Sequence, residues 1–340
     1  MSKATKVLLI IATIAVLIGI FLSLTGFFMG AKYRINMTEN GLKILEHSKK
    51  ISASFDPEAF HNMDLDINFS DLEFIESDKY YIEYTYYEDE GKPEISVEND
   101  LLKIKCPEKQ QNFNIGFGIN FENEINNMKI YYPAGTEFVN TDIINKFGEI
   151  DINKFFTNVF KVDLSFGDMD LNDIQSKTID VKLEYGAGKF KNGKADSVTY
   201  TQGFGDGSLD GIVSDNVTIK MEYGNLDIND ITAEKADIEN NFGMIKGYDM
   251  ITKGLKITTE YSNTDISGEF YGNTDIKASF GNVDIESDLN DKQYNCLFNA
   301  DFGNISLNNK IYNDNITIDN KAENNLTADV NNGNITVKLK

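Results

Sequence analysis

Tryptophan is absent, and histidine, cysteine and proline are scarce, with two, two and four residues in a chain of 340. His47 and His61 sit in no Cys/Asp/His constellation with metal-ligand spacing, so the sequence predicts no metal site and no cofactor built on one. Cys106 and Cys296 lie far apart among apolar neighbours and read as small core residues, because a disulfide would need their β-carbons within about 4 Å. Positive charge is also short: 32 basic residues face 54 acidic ones, a formal charge of -22. That field repels phosphate backbones and excludes a nucleic-acid partner, while it attracts cations and cationic peptides. No G-x-x-x-x-G-K-[ST] run is present to cradle a phosphate.

What is present begins with VLLIIATIAVLIGIFLSLTGFFMGA, residues 7–31, a run without a single charge. As a helix it would span about 37 Å, enough to cross a bilayer core. It exceeds a usual signal-peptide h-region and no A-x-A site follows, so the expectation is a retained single-pass anchor in the cell membrane. Lysines flank both ends, and the short N-terminal tail leaves the C-terminal domain as the extracytoplasmic part. Residues 32–60 then read as a juxtamembrane linker, either a stalk or a short helix with Thr38 as N-cap.

Residues 61–140 carry strand patterns: alternation from Met63, then YYIEYTYY, EISVEN and LLKIKC separated by turn residues. They read as a first rung with an insertion that caps one end of the domain. Residues 141–340 hold the strongest signal. An aromatic box recurs at Phe147, Phe166, Tyr185, Phe204, Tyr223, Phe242, Tyr261 and Phe280, each step 19 residues, and again at Phe302 after 22.

Counting from the aromatic as zero, apolar residues fall at +3, +5, +8, +13, +15 and +17; after Phe166 these are Met169, Leu171, Ile174, Ile179, Val181 and Leu183. Steps of two keep side chains on one face of a strand, whereas odd steps reverse it, so a bend is expected at each odd step. Three bends per period predict an all-β single-stranded parallel β-helix, a β-solenoid with about 19 residues per rung. The aromatic is expected to face inward as part of the core, and Phe204→Ala to cost about 3–5 kcal/mol. The glycine after it is read as close backbone approach more than as a left-handed requirement, because Ser262 fills that place once. The 22-residue step predicts an enlarged loop at SDLNDKQ, and the last segment an ordinary rung plus a closing hairpin.

Polar files on the outside point away from catalysis. At +4, Asp265 and Asp284 would stack about 5 Å apart and could share calcium, but Lys189, Ser208 and Lys246 interrupt that file. At +2, Asp168, Asp206, Asn225, Asn263 and Asn282 suit turns that bond nearby backbone. No acid sits in a distinct apolar setting that would raise its pKa, so a glycan-cleaving β-helix enzyme is the weakest reading. The tyrosines Tyr80, Tyr81, Tyr84, Tyr86 and Tyr87 occupy both faces of one strand and form the expected interaction surface.

The anchor, the strand block ending in Tyr131 to Phe138 and the repeated aromatic-Gly boxes together resemble the bacterial putative-adhesin family of unknown function, including LiaG-like membrane proteins. The resemblance implies a right-handed β-helix behind a transmembrane helix, with no catalytic residue to carry over. It implies a non-enzymatic envelope interaction module, contacting envelope proteins or cell-wall material; the alternative it leaves open is an accessory sensor in an envelope-stress membrane complex.

Overall fold

The structure, a computed structural model, describes residues 49–88, 90–107 and 126–340, the strands Ile35–Thr38 and Gly41–Ile44, and the helical positions Ala12, Val16, Gly19 and Leu22. Apart from those four positions the expected anchor, residues 7–31, lies outside the described residues. Among the described residues no helix is long and apolar enough to cross a membrane. The chain divides into two units: residues 1–50, 87–90 and 108–124 in one, the remainder in the other. In the smaller unit Ile35–Thr38 pairs antiparallel with Gly41–Ile44. The short helix considered for that stretch is therefore a hairpin: Ile35, Met37, Leu42 and Ile44 follow a period of two, and Gly41 is a poor helix former.

The larger unit is an all-β, repeat-rich solenoid. From Glu137 to Ser287 each period lies parallel on the one before it with a register shift of 19, so that Phe147 pairs with Phe166, Tyr185 with Phe204 and Thr264 with Val283. The aliphatic files are where parity places them: Met169, Leu171, Ile174, Ile179, Val181 and Leu183 are all buried. One bend falls at +7, where Lys154, Asp173, Asn192, Asp230 and Asp249 take positive φ along with Gly211 and Gly268. Asn and Asp tolerate that conformation better than other side chains, which explains most of the file. Another falls between +8 and +13, where Ser176 and Ser214 hydroxyls donate to the carbonyls of Thr178 and Asn216 at 2.8 and 2.9 Å.

At the aromatic the structure departs from the inward assignment. Phe147, Phe166, Tyr185, Phe204, Tyr223, Phe242, Tyr261 and Phe280 are 36–51% exposed, and Phe302 is 77% exposed. The step from +17 to the aromatic is two, which a plain strand would keep on one face. Here the ladder skips the intervening residue in every rung: Leu183 pairs with Gln202 and Tyr185 with Phe204, with no pairing at Glu184. Leu183 is buried and both Glu184 and Tyr185 are exposed, so the backbone turns before the ring and sends it outward.

The glycine that follows meets both requirements at once. Gly224 has φ +144°, a left-handed value, and a Cβ there would overlap the carbonyl of Gly205 one rung below. Ser262 and Gly303, neither with positive φ, are the exceptions. Polar residues at the buried +17 place serve this corner: Asn145, Gln202 and Asn240 amides donate to the carbonyls of Ser70, Gly186 and Gly224. Glycines inside the core make room for bulk, Gly188 for Tyr200 and Gly193 for Phe190.

At both ends spatial order departs from chain order. Asn62–Ile67 and Ser70–Ser77 form the first rung, yet they lie between the Glu137–Phe147 and Ile150–Phe166 strands on one side and Leu101–Lys105 and Asn126–Pro133 on the other. Antiparallel strands Tyr81–Tyr87 and Glu94–Glu98 cover that outer rung. The C-terminus mirrors this. Asn324–Asn332 and Ile335–Leu339 slot between the Phe280 rung and the Tyr294–Phe302 rung, with Leu326 opposite Thr274 on one side and Cys296 on the other. The chain must therefore climb two rungs after Ser287, and the extra residues form the 3-10 turn Asp291–Gln293, capped by Asn290. Ile316–Ile318 and Lys310–Tyr312 cover the outer rung.

Candidate interaction surface

The outward rings form one column. Phe69, which the alternation from Met63 places on one face with Leu65 and Ile67, takes φ +56° and instead stacks on Phe147 at 4.5 Å, and the rings continue at 4.8–5.0 Å through Phe280 with interplanar angles of 2–12°. Parallel rings this far apart are slipped, the arrangement that the ring quadrupole favours. Faces are thus turned toward neighbours and edges toward solvent, in an apolar stripe about 38 Å long. Asn332 interrupts it, separating Phe280 from Phe302. At roughly 40% exposure of rings of about 200 Å² each, the stripe presents several hundred Å², at the upper end for a monomer surface.

The polar files beside it have structural duties. Asp168, Asp206 and Asn263 each accept from the backbone N–H of the +2 residue one rung on, at 2.8–2.9 Å. Ion pairs at a 19-residue separation, Lys161–Asp142, Lys182–Asp163 and Lys256–Asp237, link successive rungs at the exposed surface. Asp151 at +4 is held above the usual carboxylate range, by burial first and then by Asp170 and Glu73. Among the described residues no group of three or more His, Cys, Asp or Glu side chains could hold a metal ion. His61 instead lies 2.8 Å from Asp100.

Cys106 and Cys296 are free and buried, and burial pushes both thiols up to about 11. A thiol so placed is a packing residue and not a nucleophile. Along the third corner a groove of about 440 Å³ runs over Ser176, Ala195, Ser214 and Ala233, whose small side chains leave it open. Its Ser176 and Ser214 hydroxyls are spent on backbone carbonyls.

The tyrosine cluster is divided by the strand that carries it. Tyr84 is buried, and Tyr80 and Tyr86 pack partly buried against the core. Tyr81 is on the other face beside Tyr131, with ring centroids 5.9 Å apart and Lys79 Nζ 4.6 Å from the Tyr81 ring. Tyr131 donates to Glu83 at 3.0 Å. Tyr87 belongs to the smaller unit, where Lys50 lies 5.7 Å from its ring.

The family model described as Toastrack DUF4097 matches residues 60–338, the first buried core phenylalanine to the last strand. The chain belongs to this toastrack family. No curated protein matches it. Solved structures similar to this toastrack include a putative lipid binding protein from Parabacteroides distasonis, 13% identical over 86% of this chain and 98% of that one, with a TM-score of 0.42. A putative adhesin from the same organism is 12% identical over 86% and 97%, TM-score 0.41. Another from Bacteroides fragilis is 8% identical over 85% and 97%, TM-score 0.34. At such scores none of them assigns a ligand to this toastrack.

Proposed function

We propose that this toastrack chain is a non-enzymatic interaction scaffold of the cell envelope, adhesin-like in working through an extended surface. The observation that carries it is the outward aromatic column, a contiguous apolar stripe of stacked, partly exposed rings flanked by polar files that hold successive rungs together. In this reading residues 1–31 anchor the chain through the 7–31 span, 32–60 link, 61–140 cap and 141–340 form a right-handed solenoid outside the membrane. Tyr81 with Tyr131 is a second, smaller surface.

The test is retention of the full chain on isolated cell-wall and membrane material, compared with a folded variant carrying Phe204→Ser, Tyr223→Ser and Phe242→Ser. Retention is expected to fall about tenfold or more once the stripe is broken at three successive rings. No retention of the parent chain, or equal retention of the two, overturns the reading. Protease added to intact cells should digest the solenoid; protection would reverse the topology.

A further inference from the structure

The column differs from an ordinary apolar patch in its period and its flanks. Its rings repeat at 4.8 Å from rung to rung and neighbouring rings are nearly parallel, so a molecule lying along the column meets a ring edge at every rung. Because each ring is covered by its neighbours, the outward groups are edges. A ring edge is the positive part of the quadrupole and prefers the face of another π-system, which selects a flat conjugated ligand over a sugar or a lone ammonium seeking a ring face.

The flanking residues decide its charge. One place before the ring stand the exposed Glu184, Glu222 and Glu260, and at +2 stand Asp168 and Asp206. Neither file carries a lysine or arginine between Phe166 and Phe280. Three places before the ring the file reads Asp163, Lys182, Thr201, Lys220, Glu239, Thr258 and Lys277, and Lys182 is taken by Asp163 at 3.0 Å. Carboxylates therefore outnumber cations beside the stripe, on a chain whose net charge is -22.

We propose that the aromatic column is a binding site for elongated, flat, cationic aromatic molecules aligned with the solenoid axis, their faces on the ring edges and their charge beside Glu184, Glu222 and Glu260. This rests on the reading of the column as an interaction surface. A ligand covering four rings reaches along about 14 Å, three steps of the column. High salt weakens the complex, because the carboxylates are exposed and screened.

Thioflavin T, a flat cationic dye of that shape, is the probe, titrated into the purified full chain with dye and protein followed through gel filtration. Saturable fluorescence co-eluting with the non-aggregated protein is expected. Phe204→Leu with Tyr223→Leu and Phe242→Leu, which keep apolar bulk, should weaken binding about tenfold or more. Glu184→Gln with Glu222→Gln and Glu260→Gln, which leave every ring in place, should weaken it about three- to tenfold and flatten the salt dependence. The anionic flat dye Congo red should bind more weakly than thioflavin T. Binding unaffected by both variants, fluorescence confined to aggregates, or tighter binding of Congo red each overturns the proposal. Since no envelope material is present, loss of dye binding with retained envelope binding removes only this ligand class, and the reverse result removes only the envelope role.

Discussion

The middle of the solenoid and its two ends are made of the same kind of rung but assembled by different rules. From Phe147 to Phe280 each rung rests on its predecessor in the chain, and one 19-residue period serves throughout. At each end the terminal segment of the repeat domain is second in the stack, held between two rungs laid down by other parts of the sequence. A terminal strand with neighbours on both sides must break two ladders to fray, whereas an outermost one breaks a single ladder. The outer rungs, left with an open edge, receive short antiparallel strands, which answers the hazard of edge-to-edge pairing. Repetition alone builds a stack; closing it takes residues that do not repeat.

Removal of residues 324–340 breaks the comparison most severely. It withdraws the buried Leu326, Val330, Ile335 and Val337 from between two rungs, a loss on the order of 10 kcal/mol and comparable to a whole domain's stability. Hydrogen exchange should show loss of protection in Ile276–Ala278 and in Tyr294–Phe302. Excision of residues 224–242, one whole period in the middle, should leave a folded protein, because the rungs on either side can stack directly. If both deletions fold equally well, the inserted rung has no special standing.

Next comes the corner. Gly224→Val forces a β-branched residue into φ +144° and against the Gly205 carbonyl, at a cost of about 3–5 kcal/mol in denaturant unfolding. Gly254→Ala, where an added Cβ meets nothing closer than 3.7 Å, should stay within about 0.5 kcal/mol. Similar losses at the two glycines would show that the close approach does not matter.

The mildest contrast lies within one face of the coil. Ile228→Ala should cost about 2–5 kcal/mol as a fully buried truncation. Phe204→Ala should cost about 1–3 kcal/mol, because the ring it removes stacks on a neighbour at either side but already stands partly in water. Asp227→Ser should be near neutral, within about 0.5 kcal/mol. A loss at Phe204 equal to that at Ile228 would put the ring in the core, where its spacing from +17 first places it.

Much of this was legible in the sequence. The odd steps of the apolar files mark the bends, and the buried Met169, Leu171, Ile174, Ile179, Val181 and Leu183 follow parity. The stretch Ser287–Gln293 reads as an enlarged loop, and a 3-10 turn occupies it. The column of rings was visible as a repeat but not as a surface. Whether a residue two places beyond Leu183 faces in or out depends on the unpaired Glu184, and an unpaired residue leaves no mark in hydrophobic periodicity. The tyrosine strand shows the opposite case: alternation tells that its faces differ, while only the packing of Ile82 and Tyr84 into the core tells which face is inside.

By itself, then, the sequence determined the period, the parallel rungs, the aliphatic core and the scarcity of metal-site chemistry, because these follow from local spacing and residue type. Tertiary structure alone decided the outward turn of the rings and the insertion of the last strands between earlier rungs. Both depend on interactions between residues a rung or more apart, where backbone pairing outweighs the pattern of any single strand.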